Sequence, residues 1–106
     1  MNFQQVGEYL VATRITGPTH NILQLQFASY PDSPPSIQAL PGVGPNQAAL
    51  NSQEVLRQVV AGVAAANMEF KSGYRVGKVR FVENDSRPES VYKELAAFIV
   101  RRVVHG

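Results

Sequence analysis

Asn51-Ser-Gln-Glu-Val-Leu-Arg-Gln-Val-Val60, then Gly73-Tyr-Arg-Val-Gly-Lys-Val-Arg-Phe-Val82, then Ser86-Arg-Pro-Glu-Ser-Val-Tyr-Lys-Glu-Leu95 read as helix, strand and helix. Asn51 stands three residues before Glu54, the spacing of a capping box in which each side chain accepts from the other's amide. Val55, Leu56, Val59, Val60 and Val63 then recur at helical spacing, so one stripe of this helix is buried. Gly62 interrupts it among Ala61, Ala64, Ala65 and Ala66, and that smooth surface predicts close packing of the helix on a sheet.

Ser86, Pro88 and Glu89 announce the second helix: serine as cap, proline in the first turn where no amide is needed, glutamate closing the box. Val91, Tyr92, Leu95, Ala96, Ile99 and Val103 share its inner face, with Phe98 beside them, and Glu89 is spaced to pair with Lys93. Arg101, Arg102 and His105 fall where cations oppose the negative end of the helix dipole. Between the helices, residues 73–82 are β-branched and aromatic, but Tyr74 and Val76 have one parity and Val79 and Phe81 the other. A bulge near Gly77 would return both pairs to one buried face.

Tyr9 to Ile15 reads as a strand with Tyr9, Val11 and Thr13 on one side, and Thr16 to Asn21 as a turn. Ile22 to Ala28 alternates, Leu23, Leu25 and Phe27 inward and Gln24 and Gln26 outward, which predicts a hairpin with one solvated face. Residues 29–50 form a long loop with five prolines and two glycines, in which Ile37, Leu40 and Val43 are apolar enough to pin it and a short extra strand has room. The expected fold is one α+β domain over residues 1–106: a two-layer sandwich of order β-β-(long loop)-α-β-α. Two helices cover one face of a mostly antiparallel sheet of three to four strands.

At 44% hydrophobic and 17% charged residues, the chain is too apolar to be disordered. Its net charge of +2 permits an anionic partner without the density of a basic tail. The lack of cysteine removes disulfides and thiolate metal sites. No signal peptide and no apolar run near the roughly 20 residues of a membrane span is visible, so the expected location is cytoplasmic.

No motif identifies a reaction. His20 and His105 lack companions at metal-ligand spacing, and the prolines of Pro41-Gly-Val-Gly-Pro45 remove amides that a phosphate cradle needs. No catalytic residue, cofactor or metal is therefore assigned. An enzyme would have to use loop residues such as His20, Glu83 and Asp85 around a cleft. The basic residues Arg14, His20, Arg75, Lys78, Arg80, Arg101 and Arg102 are the candidate binding surface.

Short words spread over residues 8 to 103 resemble the fourth domain of translation elongation factor G, whose fold is similar to the second domain of a small-subunit ribosomal protein. They are Ile15-Thr16-Gly17 followed by Ile22 to Leu25, Glu54-Val55-Leu56 through Gly62-Val63, Gly73-Tyr74-Arg75-Val76 against Gly-Tyr-Pro-Val, and Ser86 to Ala97. The family's paired glycines and arginine in the turn, and its histidine before the last helix, are replaced by Gly-Pro-Thr-His and Glu-Asn-Asp, and no GTPase domain is seen. The resemblance implies a fold and a binding surface, with RNA or the ribosome as partner, and not translocation.

The leading expectation is a non-catalytic binding module that regulates or neutralises a protein partner, as immunity proteins do. RNA or ribosome contact is the alternative, and a small enzyme the second alternative. A homodimer closed through a sheet edge is a further possibility, because a small open sheet has edges to cover.

Overall fold

Asn51 caps its helix as the spacing predicts: its Oδ1 accepts from the Glu54 amide at 3.0 Å. The structure is a computed structural model that describes residues 1–16, 19–29, 33–42 and 49–106. Its elements run β1 (Asn2–Val6), β2 (Tyr9–Thr16), β3 (Thr19–Phe27), β4 (Ser36–Leu40), α1 (Ser52–Phe70), β5 (Val76–Val82) and α2 (Val91–His105). The sheet order is β1-β2-β3-β5-β4, antiparallel except for the β4–β5 pair. Both helices lie on one face, where Val55, Val59, Tyr92, Leu95 and Ile99 meet Ala12, Leu23, Leu25, Val79 and Phe81. This is the expected two-layer α+β sandwich with helices on one side.

The sheet has five strands rather than three to four. β1 escaped the sequence reading because Phe3 alone in Asn2–Val6 is not exposed, packing edge-on against Phe98 at 6.4 Å. β4 lies in the long loop between Pro35 and Pro41, and Ile37 and Leu40 are its half-buried residues. Val43, Gly44 and Pro45 fall outside the described residues. In β2 it is Leu10 and Ala12 that face the helices, so the side carrying Tyr9, Val11 and Thr13 is the solvent side. The expected turn over 16–21 is shorter, since β3 already begins at Thr19 and takes in His20 and Asn21.

The bulge lies where parity required it. Gln26 pairs with Lys78 but its neighbour Phe27 pairs with Val76, leaving Gly77 as the extra residue. Val76, Val79 and Phe81 are all buried as a result. Tyr74, just ahead of the strand, stacks on Phe27 with centroids 4.6 Å apart. A Cβ on Gly77 would sit 2.8 Å from both the Ala28 amide nitrogen and the Gln26 carbonyl oxygen, so only glycine lets the strands approach this closely.

Gly62 packs on a helix and not, as expected, on the sheet. A Cβ there would meet the Lys93 carbonyl oxygen at 2.3 Å and the Ala96 Cβ at 3.0 Å. Turning Gly62 and Ala66 toward α2 rotates Val60 out of the expected stripe, and it is 41% exposed. At the far end of α1, Lys71 adopts the left-handed conformation, and Asn67 accepts from the Tyr74 amide at 3.1 Å and donates to its carbonyl at 2.8 Å. Helix end and following strand are thus tied through one side chain.

The two expected capping boxes are corrected. Glu54 does not reach back to Asn51, because its carboxylate is held by Arg57 and Gln58, which bring its pKa down to about 2. The Asn51 amide instead donates to Glu89 at 3.3 Å. The second helix begins at Val91 and not after Ser86, since Ser86 is bound to β3: its Oγ accepts from the His20 amide at 3.0 Å. Glu89 therefore bridges toward the start of α1 and neither closes a box nor pairs with Lys93.

Gly62→Val should lower the unfolding free energy in equilibrium urea denaturation by ~1–3 kcal/mol, because the obstruction is backbone. Val60→Ala, on the exposed side, should stay within about 0.5 kcal/mol of the parent. Equal effects would mean that the helices are not in close contact at Gly62.

Candidate functional site

Asp85 is the one buried acidic residue among those described, 6% exposed, and several elements converge on it. Its Oδ2 accepts from the Ile22 amide of β3 at 2.8 Å and from the Tyr92 hydroxyl of α2 at 2.9 Å. Its Oδ1 lies 3.4 Å from His20 Nδ1. Next to it, Asn21 donates to the Ser86 carbonyl at 2.7 Å, and the Ser86 amide donates to the His20 carbonyl at 3.1 Å. Burying a carboxylate is costly unless its oxygens are matched by donors, and here a strand amide and a hydroxyl match it. The hairpin, the loop after β5 and α2 are joined at this point. Burial first, and then the Asp85 charge, push the Tyr92 phenol far above the ordinary tyrosine value.

His20 and Asp85 are thus brought together, as an acid–base pair would require, with the imidazole side chain 49% exposed. Glu83 is turned away: its carboxylate accepts from the Gly42 amide at 3.4 Å, while its backbone bonds Leu40 and Leu50 and so holds both ends of the long loop. Ser86 Oγ serves the His20 amide. The cluster therefore works as a clasp between β3, the loop after β5 and α2. No group of three or more potential metal ligands occurs among the described residues.

The seven basic candidates fall into separate places. Lys78 and Arg80 lie side by side on the sheet face turned away from the helices, where Arg80 stacks over the Tyr9 ring at 4.4 Å. Arg14 points to the helix side and pairs with Glu94 at 3.1 Å. Arg101 and Arg102 sit at the end of α2, Arg102 over Phe3 at 5.3 Å and Arg101 on a groove of about 740 Å³ that also has Glu69, Glu94 and Phe98 in its wall. Arg75 is exposed just before β5, and His20 belongs to the clasp.

The face bearing Lys78 and Arg80 runs across all five strands. The register aligns Gln38, Arg80, Gln24, Val11 and Gln4 in one row across all five strands, and Ser36, Lys78 and Gln26 in the next. Among the described residues no helix packs on it, and none of the five strands contains Asp or Glu. Among the described residues, two of its polar atoms, Gln26 Oε1 and Arg80 Nε, are enclosed and meet no hydrogen-bond partner. The outward glutamines of β3 were legible from alternation. Gln4 and Gln38 were not, because β1 and β4 carry too weak a period.

No family model, curated protein or solved structure matches this chain in comparison. No helix among the described residues is long and apolar enough to cross a membrane.

Asp85→Ala strands the Tyr92 hydroxyl and the Ile22 amide, and should cost about 3 kcal/mol or more, against ~1–2 for Tyr92→Phe, by urea denaturation. The raised Tyr92 value also sets a pH dependence. Unfolded tyrosine ionises near pH ~10 while folded Tyr92 stays neutral, so this stabilisation is complete below pH ~10 and declines as pH rises above it. Alkaline absorbance titration should show a tyrosine that ionises only with unfolding; Tyr92→Phe should remove that step.

Proposed function

We propose that this protein is a non-catalytic binding module that docks a protein partner on the open face of its sheet and thereby regulates or neutralises it. One observation carries the reading. A five-stranded face whose strands contain no Asp or Glu sets Gln4, Gln24 and Gln38 in one row with Arg80, which lies over Tyr9, and places Lys78 in the next row. Such a face favours a partner surface of opposite charge with matching hydrogen-bonding groups. The cluster around Asp85 supports a binding role indirectly, since its groups are used to hold the hairpin and α2.

RNA or ribosome contact, in line with the elongation factor G resemblance, is the second reading. It draws on the same absence of carboxylates, which would suit a phosphate backbone.

Affinity capture from native extract, with and without nuclease, distinguishes them. The parent should retain a stoichiometric protein that survives nuclease, and Lys78→Glu/Arg80→Glu should lose it while keeping its circular dichroism spectrum. Nuclease-sensitive recovery would favour RNA. Equal capture by parent and double variant would remove the sheet face as the binding surface.

A further inference from the structure

We propose that the group read by the open face is a side-chain carboxylate of an acidic protein surface, received by Arg80 with Lys78 beside it. This rests on the binding-module reading and names the chemistry of its partner.

Arg80 is held for such a task. Its guanidinium carbon lies over the Tyr9 ring, 4.4 Å from the centroid, which restrains the side chain, and a restrained fork matches a carboxylate in two parallel hydrogen bonds with less further ordering. Lys78, exposed and two residues away on the same face, adds a second positive charge, and Gln24 and Gln38 flank Arg80 on the adjoining strands. Gln26, opposite Lys78 on β3, continues the amide side chains of this face. Next to it a depression of about 230 Å³, lined by Gln26, Ser36, Gly77 and Lys78 among others, leaves space for a side chain.

Nucleic acid fits the same face less well. Single strands are held by stacking bases on free aromatic rings and by many phosphate contacts. Here Tyr9, the one aromatic on the solvent side of the five strands, is covered by Arg80, and only Lys78 and Arg80 supply fixed positive charge. Complementarity in charge and in hydrogen bonding therefore selects an acidic protein surface.

Two-dimensional nitrogen–proton NMR of the full chain tests this with poly-L-glutamate and oligouridylate as probes, at low and at physiological salt. Poly-L-glutamate should shift the Arg80 Nε–H signal and the amides of residues 24–26 and 78–80. In Arg80→Lys, which keeps the charge but not the fork, its apparent affinity should fall at least about fivefold with the amide spectrum otherwise retained. No shift on this face, or equal affinity in Arg80→Lys, would overturn the carboxylate assignment. Shifts with oligouridylate alone would overturn it in favour of phosphate while leaving the sheet face as the binding surface. Failure of the binding-module reading is distinct: the Lys78→Glu/Arg80→Glu variant would then capture partners as well as the parent.

Discussion

The approach of Gly77 to the backbone of Gln26 and Ala28 sets the two sides of the molecule. Were Gly77 paired as in a regular strand, Val76 would share parity with Lys78 and Arg80, and β5 could not present three apolar residues to the helices and two cations to solvent. One bulge thus places Val76, Val79 and Phe81 in the core and Lys78 and Arg80 in rows of amides on the other face. Replacing a hydrogen by a methyl there would push against main chain atoms of β3 and not against a flexible side chain. The core and the proposed interface share this one backbone contact.

A second constraint acts at the far end of β5. The chain must turn from the sheet onto the helix layer, and Asp85 does this with a carboxylate shared between the β3 amide and the Tyr92 hydroxyl. Because Ser86 is bonded to His20, the start of α2 is displaced to Val91 and Glu89 is free to receive the first amide of the α1 cap. The clasp and the helix contact at Gly62 fix α2 from two sides. The sheet's outer face is left to solvent and to any partner.

Much of this was readable from residues alone, and the failures have physical causes. Periodicity located both helices, the β3 alternation and the bulge, since each follows from which side chains must be buried. The capping box at Ser86 was misread because a serine's local preference gives way to a strand that offers it a backbone partner sixty-six residues away. β1 was missed, and β4 was foreseen only as room for a short extra strand in the long loop, because edge strands bury little. The candidate site was legible only in part: Lys78 and Arg80 were on the roll of basic residues, but their isolation from Arg14, Arg101 and Arg102 depends on tertiary placement. Tyr9 beneath Arg80 depends on register, which no local pattern states.

Lysine reactivity offers the most direct test of where a partner sits, because the chain has three lysines on three surfaces. Lys71 caps α1, Lys93 lies on α2, and Lys78 is on the open face; all three are exposed. Acetylation rates can be followed by mass spectrometry for the free protein and for the protein saturated with its captured partner. Slowing at Lys78 with Lys71 and Lys93 unchanged is the predicted result. Acetylation of Lys78 at its free rate, with Lys71 or Lys93 protected instead, would contradict a sheet-face interface and move the binding surface to the helices.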